Sequence, residues 1–192
     1  MTRRRSRGEL PLIAWGETQR IARDPRRKLR RVAFGIAVGI AALGLTIALP
    51  PPPRLLWNAS ASAPIGLYYV SPGTPAAPSD MAIARLPAPW RGLAARRHYL
   101  PANVPLVKRV AAAAGDEVCA FGTKIFVNDR LVAERRTRDP HGRGLPWWRG
   151  CVHLHGRQLL LLTDRPDSFD GRYFGVIEGA DVIGTAVLLW RR

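Results

Sequence analysis

Cysteine is nearly missing from this sequence. Its 192 residues hold two, Cys119 and Cys151. Neither belongs to a CxxC pair or stands near a histidine at metal-ligand spacing, which argues against a cysteine-built metal site. Acidic side chains are also scarce, 14 against 30 lysines and arginines, for a formal charge of +16. Histidines number four. His98 and His141 fall in basic or glycine-rich stretches, and His153 with His155 lacks a third ligand, so no metal is expected. No internal repeat occurs. With 47% hydrophobic residues, 18 glycines and 17 prolines, the composition is that of a folded, turn-rich chain rather than a disordered one.

Long apolar runs are missing too, with one exception. Val32–Leu49 carries no charged or amide side chain. Eighteen helical residues span about 27 Å, close to the ~30 Å hydrocarbon core of a bilayer. Arg30 and Arg31 close the run on one side. Pro50–Pro53 close it on the other, because proline cannot continue a helix. Residues 1–31 hold 11 of the basic residues and 3 of the acidic ones, so half of the excess charge precedes the apolar run. That asymmetry predicts a cytoplasmic tail over 1–31, a transmembrane helix over 32–49 and an exported domain over 50–192. A cleaved signal peptide is the competing reading. Its small-residue site, Ala59-Ser60-Ala61, lies ten residues beyond the run. In an oxidising compartment a Cys119–Cys151 disulfide is the expected state, with two buried thiols as the alternative.

Beyond the anchor, short apolar stretches broken by Gly, Pro and Asp predict a mainly β domain. The expected strands are Gly66–Val70, Met81–Leu86, Leu106–Ala112, Glu117–Phe121, Lys124–Val127, Arg130–Glu134, Val152–His155, Gln158–Thr163 and Asp181–Trp190. Asn128-Asp129 has the character of a two-residue hairpin turn, and His155-Gly156 suggests a second hairpin. Residues 137–149 are polar and Gly/Pro-rich, the signature of a surface excursion. A short helix is expected near Ile13–Ile21.

Three segments carry chemistry. In Asn58–Tyr69, Ser60 and Ser62 are two apart, so an extended chain places both hydroxyls on one face. One can attack a carbonyl while the other stabilises the oxyanion. In Pro105–Val118, Lys108 shares a strand face with Leu106 and Val110. An apolar setting lowers a lysine pKa and makes it a base near neutrality. Arg109 points away and cannot serve, because guanidinium keeps its proton. In Thr163–Gly175, Asp170 and Arg172 can pair, and Ser168 can orient the lysine amine. Each has a plain structural alternative: a loop, a snorkelling lysine and an Asx-rich turn. Trp57 and Pro146-Trp147-Trp148 fit either a bilayer surface or packing at the core rim.

Taken in order, these segments resemble the type I signal peptidases, and more closely their conjugative-transfer branch, the TraF-like pilin-maturation peptidases. The resemblance rests on Asn58-x-Ser60-x-Ser62-x-Pro64-x-Gly66-Leu67-Tyr68, on Lys108-Arg109-Val110 followed by Gly115-Asp116-Glu117-Val118, and on Ser168–Gly175. It implies a signal-peptidase-like domain of twisted antiparallel β-sheets behind one N-terminal membrane helix. By the same resemblance Ser62 is the nucleophile, Lys108 the general base, Ser60 an oxyanion donor and Ser168 the serine that positions the lysine. Asp170 and Arg172 then form a structural ion pair. Two departures separate the chain from general signal peptidases. Ser62-Ala63-Pro64 stands in place of Ser-Met-x-Pro, and Thr163-Asp164-Arg165 in place of Gly-Asp-Asn. Both favour the conjugative branch.

The expected partners are an exported precursor polypeptide, with a conjugative prepilin foremost, and the lipid bilayer. No cofactor is expected. The expected location is the bacterial inner membrane, with the catalytic domain periplasmic. A general signal peptidase and a non-enzymatic scaffold of a conjugation apparatus are the alternatives. A nucleic-acid-binding role finds no aromatic–basic platform in the outer region. A self-cleaving repressor would need a DNA-binding domain where this chain has a membrane span.

Overall fold

The computed structural model describes residues 11–49 and 52–192. The chain divides into two compact units, Met1–Pro51 and Pro52–Arg192. The first contains α1, Pro11–Ala48, a continuous helix of 38 residues. The short helix expected near Ile13–Ile21 is therefore part of a longer one. Within α1, Arg26–Ala48 is long and apolar enough to cross a membrane. Its 23 residues span about 35 Å as a helix. Phe34, Ile40, Leu43 and Ile47 are all exposed, as suits a helix whose solvent is lipid.

The second unit is mainly antiparallel β, as expected. One sheet has six strands in the order β1-β2-β10-β3-β4-β9. These are β1 (Leu55–Asn58), β2 (Gly66–Pro72), β3 (Met81–Ala84), β4 (Leu106–Ala112), β9 (Leu160–Leu162) and β10 (Val182–Arg191). The other sheet orders its strands β7-β6-β5-β8. It is built from β5 (Glu117–Phe121), β6 (Lys124–Val127), β7 (Arg130–Glu134) and β8 (Gly150–His153). Every pairing is antiparallel. Val118, Ala120, Ile125 and Leu154 pack with Leu160 and Leu162 in a core shared by the two sheets.

Asn128 and Asp129, at φ 47° and 63°, turn β6 into β7 as anticipated. His155-Gly156 closes no hairpin. β8 pairs with β5 and β9 with β4, so the chain passes from one sheet to the other there. The crossing is fixed by buried Leu154, whose N–H donates to the Asp116 carbonyl. β1 was not anticipated, because Leu-Leu-Trp-Asn is too short to show a period. Helix α2, Ala88–Arg96, was also missed: Pro89 and Gly92 disguise it, and Ala94 is its single buried residue.

β2 and β10 approach closely at Gly66, where a Cβ would stand 2.0 Å from the Trp190 carbonyl oxygen. Glycine is required there, directly after the segment bearing Ser60 and Ser62. Cys119 and Cys151 face each other across β5 and β8 and are joined as a disulfide. The bridge closes a separation of 32 residues containing the β6–β7 hairpin. Replacing both cysteines by serine should lower stability by about 3–4 kcal/mol through lost loop closure. Chemical denaturation of the two proteins checks this; equal midpoints and slopes would contradict it.

Candidate active site

Ser60 and Ser62 do not lie in an extended segment. They occupy a turn between β1 and β2, and the agent is Asn58. Its buried amide donates to the carbonyls of Ser60, Ala63 and Pro64, at 2.9, 3.2 and 3.1 Å. Its carbonyl oxygen accepts the Ser60 N–H. The hydroxyl of buried Tyr68 ties down the Pro64 carbonyl at 2.8 Å. The turn still brings the two hydroxyls together, 2.9 Å apart. The Ser62 N–H points at the Ser60 oxygen, 3.3 Å away. The Ser60 hydroxyl thus bonds both the Ser62 hydroxyl and the Ser62 N–H. Asn58 stood in the sequence motif without a role; asparagine's habit of bonding nearby backbone was the available signal.

Lys108 lies in β4, which is buried on both faces. Leu106 and Val110 join one core cluster, with Lys108 on their side. Val107 joins another on the opposite side, which accounts for the broken alternation of the segment. Arg109 is exposed. Lys108 itself is 4% exposed. Burial pulls its amine down to about 8, against a partial upward pull from the Asp170 carboxylate. Its Nζ donates to Ser168 Oγ at 2.6 Å.

Ser168 is held in place by the short helix that comes after it. Asp170 caps α3, Gly171–Phe174, by accepting the Arg172 N–H, and its other oxygen accepts the Thr163 N–H at 3.0 Å. The Arg172 guanidinium pairs with Asp170 at 3.1 Å and also donates to the Thr163 carbonyl. Both side chains are withdrawn from water. Burial pushes the Asp170 carboxyl up, opposed chiefly by Arg172. Phe169 stacks on Tyr173, with centroids 5.8 Å apart, and tilts against Tyr99 at 5.0 Å.

Two contributors went unnoticed in the sequence. Buried Arg135 donates to the carbonyls of Gly122, Trp148 and Arg172, and its guanidinium lies 4.5 Å from the Trp147 ring centre. It thereby ties β7 and the loop after it to α3. The 137–149 segment is more than a surface excursion. It folds about buried Asp139, which accepts from Tyr99 and Arg143, and it forms one wall of a cleft. Trp148 donates its indole N–H to the Gly171 carbonyl, whereas Trp57 is exposed beside Trp190.

Ser60, Ser62, Lys108 and Ser168 all line this cleft, which encloses about 770 Å³. Asp170 and Arg172 stand behind it. No histidine lines it, and no hydrogen bond joins Ser62 to Lys108 among the described residues.

Keeping Lys108 buried has a pH-dependent cost. Its amine holds a proton up to about 8 in the fold but to 10.5 in the unfolded chain. The unfolded state therefore binds more protons between these values, and stability rises with pH across that window. Below pH 8 the penalty is about 3 kcal/mol. Lys108→Met should accordingly raise thermal stability at pH 6–7, with the gain shrinking toward pH 10. Melting curves that differ by the same amount at every pH would contradict this.

The matched family model is described as signal peptidase, peptidase S26, and covers residues 28–191. Two curated proteins from Escherichia coli, each named plasmid transfer protein TraF, are similar. One is 34% identical over 149 residues, 69% of this chain and 82% of its own length. The other is 32% identical over 171 residues, 81% of this chain and 93% of its own. A crystal structure of a signal peptidase I from Enterococcus faecalis V583 aligns with TM-score 0.31 at 19% identity, covering 58% of this chain and 98% of that one. On the family match and the two curated relatives, the chain belongs to the signal peptidase family, peptidase S26.

Proposed function

We propose that the protein is a membrane-anchored serine endopeptidase with a Ser62–Lys108 dyad, acting on an exported precursor in conjugative transfer. The observation that carries this reading is the buried Lys108 amine, drawn to about 8 and bonded to Ser168 in the cleft that also contains Ser62. A lysine in that setting is neutral often enough to act as a base. The names of the two relatives support a role in plasmid transfer, and a prepilin is the first candidate precursor. The departures at Ser62-Ala63-Pro64 and Thr163-Asp164-Arg165 favour this over a general signal peptidase.

The chemistry is set by these roles. Ser62 Oγ adds to the scissile carbonyl as its proton passes to the Lys108 amine. The displaced electron pair goes to the carbonyl oxygen, which accepts from the Ser60 hydroxyl and the Ser62 N–H. Collapse breaks the C–N bond, and the leaving amine takes the proton from the lysine ammonium. Water or another amine then attacks the acyl-enzyme in the same way. Ser168 keeps the lysine aimed, and Asp170 with Arg172 holds the backbone behind Ser168. Residues 1–31 lie in the cytoplasm, 32–49 span the inner membrane and 50–192 face the periplasm. Protease added to spheroplasts should digest the 50–192 domain; its full protection would reverse this topology.

Ser62→Ala and Lys108→Ala should each abolish cleavage of the genomically adjacent prepilin, and the double variant should be no worse, since the two act as one unit. Lys108→Arg should be inactive as well, because its guanidinium cannot accept the proton. Ser60→Ala should lose roughly 10²–10³ in rate, with Ser168→Ala in between. Cleavage should rise with pH through about 8, as the lysine becomes neutral. Near-native turnover by a folded Lys108→Arg protein would sink the dyad.

A further inference from the structure

Two clefts open on Ser62, and the dyad chemistry engages only the larger. The second encloses about 410 Å³ and shares Ala61, Ser62 and Arg165 with the first. On β4, Lys108 lines one and its neighbour Arg109, pointing the opposite way, lines the other. The larger cleft is walled mainly by apolar side chains such as Leu56, Val104 and Leu145. The second is basic. Arg109, Arg165, Arg191 and Arg192 line it, against one acidic side chain, Asp164. Arg165 pairs with Asp167 at 3.3 Å. Arg109, Arg191 and Arg192 have no carboxylate within 4.0 Å among the described residues.

These arginines are fixed beside the nucleophile's turn. Arg191 pairs with Gly66 across β2 and β10, and the Arg192 N–H donates to the Ile65 carbonyl at 3.0 Å. Guanidinium groups stay charged in proteins, so a cleft lined by several of them favours an anion. A peptide cut at Ser62 advances about 3.3 Å per residue, so a few residues on one side of the bond reach into the second cleft.

We propose that the second cleft is a specificity subsite for a carboxylate on the substrate, an acidic side chain or a terminal carboxylate within a few residues of the cut. Arg191 and Arg192 are its main contacts. The assignment rests on the proposed role of Ser62 as the residue that marks the cut. It adds to the proposed reaction a requirement for negative charge on one flank of the bond. Arginine can meet a carboxylate with two parallel hydrogen bonds, which makes such a site selective for geometry as well as charge.

The test uses the full chain carrying Ser62→Ala, in detergent micelles, with labelled peptides read by fluorescence anisotropy. The probes share an Ala/Gly core flanked by Glu-Glu, Gln-Gln or Lys-Lys, with the variable pair on either side. Each is made with a free or an amidated C-terminus. In one orientation the Glu peptide should bind about tenfold tighter than the Gln peptide, with the margin shrinking at high salt. Arg191→Ala with Arg192→Ala should erase the margin, and Arg191→Glu with Arg192→Glu should transfer it to the Lys peptide. Lys124→Ala with Arg130→Ala removes equal charge on the exposed β6–β7 hairpin and should retain it. The free and amidated forms separate a side-chain from a terminal carboxylate. Equal binding of Glu and Gln peptides in both orientations overturns the proposal. So does a margin that survives loss of Arg191 and Arg192, or one lost equally in the hairpin control. Cleavage by the Ser62 protein is scored separately: acid-selective binding without any cleavage refutes the peptidase reading and leaves the anion subsite standing.

Discussion

A lysine amine withdrawn from water is the constraint around which this domain is arranged. Lys108 could not be moved to the sheet surface without regaining hydration and its ordinary basicity. It therefore needs a strand covered on both sides, and β4 is that strand. Leu106 and Val110 bury one face with Leu161, and Val107 buries the other with Ile83 and Val70. The amine also needs a partner that can bond it in either protonation state. A hydroxyl can donate or accept, and Ser168 supplies one at 2.6 Å. A carboxylate in direct contact would have favoured the ammonium and raised the pKa.

Placing Ser168 is the harder task, since it lies in a loop. Two buried charges anchor the segment behind it. Asp170 and Arg172 neutralise each other and between them bond both the N–H and the carbonyl of Thr163, which closes the loop on itself. An ion pair this deep is costly to desolvate, so its contribution is geometric more than energetic. It does bring a charge near Lys108, yet the Asp170 carboxylate and the Arg172 guanidinium pull on the amine in opposite directions, so burial remains the largest influence. Arg135 is a third buried cation and is satisfied wholly by carbonyls and an aromatic ring. Its bond to the Arg172 carbonyl makes the smaller sheet part of the lysine's support.

How much of this could be read from the sequence depends on the range of the interactions. β4, β5, β6 and β7 were legible to the residue, because short apolar stretches bounded by Gly, Pro and Asp and the Asn128-Asp129 turn are local signals. The resemblance singled out Ser60, Ser62, Lys108 and Ser168, and the structure brings all four to one cleft. The pairing of strands was not. His155-Gly156 has good turn chemistry, and only the separate demands of two sheets make it a crossing. α2 was hidden because its few buried contacts leave no periodic stripe. Arg135 was invisible for a related reason: a buried arginine that bonds carbonyls leaves no complementary acid in the sequence to reveal it.

The serine turn shows a different division of labour. In an extended segment Ser60 and Ser62 would share a face, yet their backbone donors would be committed to neighbouring strands. By curling the chain, Asn58 keeps the Ser62 N–H out of the sheet ladder, where it donates to the Ser60 hydroxyl oxygen beside the Ser62 side chain. Carbonyls that a turn would otherwise leave unsatisfied are absorbed by the Asn58 amide and the Tyr68 hydroxyl. β2 then begins at once, and Gly66 lets it pass within contact of β10. That close passage sets Arg191 and Arg192 beside the turn. One small backbone requirement at Gly66 thus fixes both the position of the Ser62 turn and the charge that surrounds its far side.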